Sequence, residues 1–187
     1  VCDTVERTVR EYCDWTVLER ADHIEFRTAQ RWGDYAFDLE REVTVFGRTV
    51  RSETRLRNTG TSQVPVRWFP HPFYPVDYTA DPAARPLCAL PAPVRVPRRT
   101  TYSLGADGFL RCSDLDALQA VAVRCDEAGP LAVFQRHPTL GLVAARFSYS
   151  AGHLLVWGNP RTFSFEPYFE QSAGAGDALE WSVEYQF

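Results

Sequence analysis

Apolar and polar residues alternate with a period of two over most of the chain. From Val50 to Leu56 one face reads Val50, Ser52, Thr54, Leu56 and the other reads Arg51, Glu53, Arg55, Arg57. The C-terminus repeats the pattern: Leu179, Trp181, Val183, Tyr185 and Phe187 alternate with Glu180, Ser182, Glu184 and Gln186. Strict alternation belongs to a strand with one face on a core and the other toward water or a cleft. Turn residues separate the runs. Arg20-Ala21-Asp22-His23 divides Trp15–Glu19 from Ile24–Thr28, and Phe46-Gly47-Arg48 closes a hairpin between Tyr35–Val45 and Thr49–Arg57. Asn58-Thr59-Gly60 ends the second arm, and later breaks fall at Ala106–Gly108, Asp126–Pro130, Ser150–Gly152 and Gly174–Asp177. About ten strands at short spacing predict an all-β chain, an antiparallel sandwich or barrel. Val5 to Tyr12 reads either as a helix or as a fraying strand.

Pro70 to Arg99 breaks the pattern. It holds Pro70, Pro72, Pro75, Pro82, Pro86, Pro91, Pro93 and Pro97. Proline donates no ladder hydrogen bond, so this segment is expected to form no central strand. A long, stiffened loop on a sandwich is a place to look for function.

Composition narrows the classes. With 187 residues and 45% hydrophobic content the chain supports one core, and a single domain over residues 1–187 is expected. Acidic residues outnumber basic ones 24 to 20, for a net charge of -4. That argues against a nucleic-acid partner, which calls for a basic face. No apolar run approaches the roughly 20 residues of a membrane helix, and the charged start VCDTVERTVREYC does not read as a signal peptide. No membrane partner is therefore expected. The five cysteines are odd in number and lack CxxC spacing, which favours free thiols in a reducing compartment, by default the cytoplasm. An exposed sheet edge is the natural place for a homodimer contact.

Most familiar site patterns are missing. There is no P-loop and no GxSxG elbow, and His23, His137 and His153 stand singly without metal-ligand spacing, so no metal site is expected. Asp114-Leu115-Asp116 sits in a polar turn, where aspartate ordinarily bonds its own backbone. Aromatic residues make up 13% of the chain. Trp32, Trp68, Phe73, Tyr74, Trp157 and Tyr168 include platforms on which a sugar could lay its apolar C–H face. Trp68 and Tyr74, which flank His71, lead this group. Arg67 and Arg161 have the reach to bind sugar hydroxyls or a phosphate, although a solvated strand-edge arginine is the plainer reading.

Two stretches carry more information. The first runs Arg55-Leu56-Arg57-Asn58-Thr59-Gly60 and on to Trp68-Phe69-Pro70-His71-Pro72-Phe73-Tyr74; the second is Phe163-Ser164-Phe165-Glu166-Pro167-Tyr168. Together they resemble the aldose 1-epimerase (galactose mutarotase-like) family. There a strand ending in an Asn-x-Gly-type turn leads into a His-Pro-aromatic element, and a Glu-Pro strand follows later. The resemblance runs from about Trp15 to the C-terminus. It implies an antiparallel galactose mutarotase-like β-sandwich that binds a sugar or sugar phosphate, needs no cofactor, and interconverts α and β anomers. His71 matches the general acid on the ring oxygen, and Glu166 the general base on the anomeric hydroxyl. An imidazole and a carboxylate, with ordinary pKa values of roughly 6.5 and 4.3, can exchange protons near neutrality.

Read without the resemblance, His71 is a loop histidine between two prolines, and Glu166 lies across the strand from Phe163 and Phe165, where it would face solvent. The departures from the family are upstream. The family's earlier histidine, in a His-Gly-x-x-Arg-like element, corresponds here to Glu6-Arg7-Thr8-Val9-Arg10, which keeps at most the arginine. The sandwich is thus expected to lack N-terminal strands, either as part of a longer chain or as a reduced relative. For the family's further carboxylate, Asp114 and Asp116 are the nearest candidates. The competing functional reading is a non-catalytic carbohydrate-binding module or sugar sensor on the same fold.

Overall fold

The computed structural model describes residues 2–3, 6–9, 11–76, 86–90, 93–114, 118–126 and 129–187. Among them are nineteen strands and no helix. In chain order these are β1 (Cys2–Asp3), β2 (Thr8–Val9), β3 (Thr16–Glu19), β4 (His23–Trp32), β5 (Tyr35–Phe46), β6 (Thr49–Asn58), β7 (Val64–Trp68), β8 (Tyr74–Pro75), β9 (Pro86–Ala89) and β10 (Val94–Arg95). They continue with β11 (Tyr102–Leu104), β12 (Phe109–Cys112), β13 (Gln119–Cys125), β14 (Ala132–His137), β15 (Gly141–Phe147), β16 (His153–Gly158), β17 (Thr162–Pro167), β18 (Phe169–Ala173) and β19 (Ala178–Gln186). No helix among the described residues is long and apolar enough to cross a membrane.

The strands group into two compact units, residues 1–66 with 171–182, and residues 67–170 with 183–187. In the first, β6, β5, β4 and β3 lie side by side in that order, with β19 next to β6. The predicted hairpin forms in register, with Val45 opposite Val50 and Leu39 opposite Leu56, and Gly47 takes a positive φ of 56° in its turn. Thr8–Val9 is a strand paired with β1, so the helical alternative for that region fails where it is described.

The Asn58-Thr59-Gly60 turn is held from three sides. Asn58 is fully buried; its Nδ2 donates to the carbonyls of Ser62 and Ala173, each at 2.9 Å, and its Oδ1 accepts from Gly60 N at 2.9 Å. A Cβ on Gly60 would fall 2.6 Å from both Ala36 N and Asp34 O, so no larger residue fits. The motif is therefore a structural joint. It sends the chain into β7, and from there into the second unit.

The second unit is a sandwich of two antiparallel sheets. One has the order β10-β13-β16-β17-β8, and the other β11-β12-β9-β14-β15-β19. Val121, Val123, Leu154, Val156, Phe163 and Phe165 of the first sheet and Leu87, Leu110, Val133, Val143, Ala145 and Phe147 of the second are buried between them. Phe147 and Phe165 meet edge to face, with centroids 6.5 Å apart. Burying each such side chain contributes about 1.5–3 kcal/mol. That fixes the register of β17, because a slip of one residue would turn Glu166 into the core and Phe165 out of it.

Pro86–Ala89 corrects the expectation for the proline-rich segment, since β9 lies between β12 and β14. Pro86 opens the strand rather than interrupting it, a position where the missing N–H is tolerated. Leu87 and Cys88 then fill the core. Tyr74–Pro75 and Val94–Arg95 are edge strands, as proline requires. Pro82 and Pro91 lie outside the described residues.

Candidate functional site

The β16–β17 hairpin supplies one wall of the site. Its turn is closed by Asn159, whose Oδ1 accepts from the backbone N–H groups of Arg161 and Thr162 at 2.8 and 3.0 Å. The cross-strand pairing sets Trp157 beside Ser164 and Leu155 beside Glu166, and on the neighbouring strand Ala120 beside Trp157 and Ala122 beside Leu155. These side chains project away from the core, on the face opposite Phe163 and Phe165. The small Ala120 thus lies beside the large Trp157 indole, and Leu155 stands between Ala122 and the Glu166 carboxylate.

The segment after β7 covers that face. Arg67, Phe69, His71 and Phe73 fall on one side of the chain, at a spacing of two. Phe69 meets Tyr168 at 4.7 Å, His71 stacks on Phe73 at 4.7 Å, and both His71 and Phe73 turn against Trp157, at 5.5 and 5.6 Å. Under this cover Glu166 is only 3% exposed, although it does not belong to the core. The solvent-facing reading of Glu166 is thereby corrected.

A buried carboxylate needs a donor, and Glu166 has one in the Trp157 indole, with the His71 imidazole in ion-pair contact at the same oxygen. His71 Nε2 lies 3.2 Å from Oε1, and Trp157 Nε1 donates to the same Oε1 at 2.5 Å. The His71 side chain is 42% exposed, so the pair opens to solvent on the imidazole side. Tyr149 Oη donates to the Pro167 carbonyl at 3.0 Å, which ties down the end of the strand that carries Glu166. Burial pushes the phenols of Tyr149 and Tyr74 well above their ordinary range, so neither exchanges protons near neutrality.

The structure brings together His71 and Glu166 but distributes the four expected sugar-binding residues differently. Tyr74 is a core ring, 7% exposed and stacked on Phe165 at 5.1 Å, because it sits one residue out of phase with His71 and Phe73. Trp68 is out of phase in the same way and meets Tyr149 edge to face at 6.4 Å. Arg161 lies in the hairpin turn, five residues from Glu166 and so roughly 16 Å along the strand. Arg67 is on the correct side, but its Nε pairs with Glu170 at 3.1 Å and its guanidinium lies over Tyr168. The aromatic neighbours of the pair are instead Phe73, Trp157 and Phe69. Phe73 and Trp157 are among the platforms read from the sequence; Phe69 is not, although it lies two residues from His71, as Phe73 does. The indole bond from Trp157 has no signal in the sequence.

No three His, Cys, Asp or Glu side chains converge among the described residues. Asp114 offers its carbonyl to the Cys112 thiol at 3.0 Å, and Asp116 lies outside the described residues. What the arrangement can do chemically is move protons. A buried carboxylate and an accessible imidazole stand in contact, beside exposed aromatic surface.

No protein-family model and no curated protein sequence matches the chain. Solved structures do. A galactose mutarotase related enzyme from Lactobacillus acidophilus superposes with a TM-score of 0.67 at 12% identity, over 93% of this chain and 71% of its own. A galactose mutarotase-like protein from Lactobacillus casei gives 0.64 at 13% identity, over 92% and 72%. One from Clostridium acetobutylicum gives 0.62 at 9% identity, over 91% of this chain and 65% of its own. Each neighbour is longer than this chain. The likenesses show the fold, an all-β galactose mutarotase-like sandwich with antiparallel sheets, and they support the resemblance drawn from the two motifs.

Proposed function

We propose that this chain binds a hexose or hexose phosphate at the His71–Glu166 pair and interconverts its α and β anomers. The observation that carries the reading is the 3.2 Å contact between the accessible imidazole of His71 and the buried carboxylate of Glu166. The galactose mutarotase-like fold supports it.

The chemistry follows from the two groups. Glu166 accepts the proton of the anomeric hydroxyl O1, and His71 delivers one to the ring oxygen O5. The C1–O5 bond breaks as its electron pair passes to O5, and O1 becomes the carbonyl oxygen of the open-chain aldehyde. Rotation about C1–C2 presents the other face, and both transfers reverse on closure. Positioned acid–base groups contribute about 100- to 10,000-fold each to such steps. In the free protein the two side chains touch, so the sugar has to part them. O1–H replaces the imidazole on the carboxylate while Nε2–H turns to O5. Both oxygens are bonded to C1, so the separation needed is that of one acetal carbon. Phe73 and Trp157 offer apolar surface to the ring C–H groups.

Polarimetry of freshly dissolved α-glucose and α-galactose, with the protein and with Glu166→Gln, tests the reading. Acceleration by the wild type alone is expected. Saturable sugar binding without acceleration would make the chain a carbohydrate-binding module instead, and the absence of both would remove the sugar site.

A further inference from the structure

We infer that Trp157 is the positioning residue of the base: its indole N–H holds Glu166 in place while His71 leaves to serve the sugar. This rests on the reading of His71 and Glu166 as acid and base. Glu166 is nearly fully buried, and His71 and Trp157 meet it on one oxygen, Oε1. The acid has to abandon that oxygen when it turns to O5. A carboxylate stripped of its donors in a dry site takes up a proton instead of accepting one from substrate.

Trp157 is suited to prevent this. Indole donates a hydrogen bond and accepts none, and it neither gains nor loses a proton in the working pH range, so it steadies the anion without competing for the transferred proton. It sits on the same hairpin as Glu166, with Ser164 as its cross-strand neighbour, and therefore moves with the base rather than with the acid. Its ring also packs against both His71 and Phe73.

The test uses Trp157→Phe, which removes the N–H, and replacement of Trp157 by 3-benzothienylalanine, which keeps the bicyclic shape and also lacks the N–H. In mutarotation assays both variants should lose roughly 10- to 100-fold in kcat with little change in KM, as expected for a hydrogen bond to a charged group. The acid limb of the pH–rate profile should move to higher pH. By NMR, the His71 ring should titrate differently in both variants than in the wild type, because the imidazole and the indole N–H meet the same carboxylate oxygen. The NMR reading needs no sugar. It therefore decides the positioning role even if the wild type proves inactive on every hexose, an outcome that would count against the proposed reaction alone. An unchanged His71 titration in the shape-preserving variant overturns the inference. A rise in KM with kcat and pH profile unchanged also overturns it, and would make Trp157 a sugar platform only.

Discussion

Phe73 and Tyr74 are neighbours in sequence and face opposite ways: the Phe73 ring is 64% exposed against His71, while the Tyr74 ring is 7% exposed and stacked on Phe165. Their truncations should therefore separate cleanly. Tyr74→Ala empties a place in the core and should destabilise by about 3–5 kcal/mol. Phe73→Ala should change stability by about 0.5 kcal/mol or less and weaken sugar binding about tenfold. Chemical denaturation and isothermal titration with the preferred hexose measure the two effects. Equal stability losses would mean that the two rings are not divided between core and site.

Glu166→Gln keeps the shape of the side chain and its ability to accept from Trp157 and His71, and removes only the basic oxygen. Mutarotation should fall about 100-fold or more, with the thermal midpoint within a few degrees of the wild type. A variant that keeps its activity would remove Glu166 from the reaction.

Asn58→Ala should destabilise by about 2–4 kcal/mol, because the carbonyls of Ser62 and Ala173 lose their donor in a buried place. Urea unfolding is the measurement. A loss below about 0.5 kcal/mol would show that the turn is not held by this side chain.

Burial pushes the Cys88 thiol up to about 12, whereas Cys13 is exposed. The Cys88 thiol is therefore held in its unreactive protonated form near pH 8, and it is also shielded. Alkylation with iodoacetamide in native buffer, followed by peptide mapping, should label Cys13 and leave Cys88 unmodified until guanidinium is added. Labelling of both at equal rates in native buffer would contradict the placement of β9 in the core.

His23 binds Asp22 at 2.8 Å and Glu25 at 3.3 Å. The hydrogen bond that His23 donates to Asp22, and then the one it donates to Glu25, holds the imidazole proton more tightly than usual; His23 in turn draws both carboxyls below their ordinary range. The histidine's contribution to stability is full below its unfolded value of about 6.5 and is lost as pH rises through the higher folded value. The carboxylates contribute above their unfolded values of about 4 and lose that contribution as pH falls through the lower folded ones. The cluster should thus stabilise most between about pH 4.5 and 6.5. The stability gap between wild type and His23→Gln should be wider at pH 5.5 than at pH 8.5. A gap that does not change with pH would rule out the ion-pair contribution.

The fold was legible wherever one physical signal decided it. Alternation from Val50 to Leu56 and from Leu179 to Tyr185 marked β6 and β19, since a single buried face imposes period two. The Asn58-Thr59-Gly60 turn was legible because its backbone demands those residue types. Pro86–Ala89 was not, because the missing N–H of proline constrains single positions, and the one proline of β9 stands at its first residue. In the site, the identities of His71 and Glu166 came from motifs, but the burial of Glu166 did not. Its cover comes from Phe69, His71 and Phe73, which the fold alone brings over that face. Phe73 and Tyr74 were both legible as aromatic candidates, and their spacing from His71, two residues against three, separates the exposed ring from the buried one.

The tight Asn159 turn gives the site an order of assembly. Glu166 and the Trp157 indole ride on one hairpin, whose arms can zip together within microseconds from local contacts. His71 arrives with a distant segment, at a much larger loop-closure cost. The carboxylate is therefore in place, and open to water, before His71 and Phe73 close over it. Any later fluctuation that lifts residues 69–73 returns the hairpin to that earlier, hydrated condition without unfolding it.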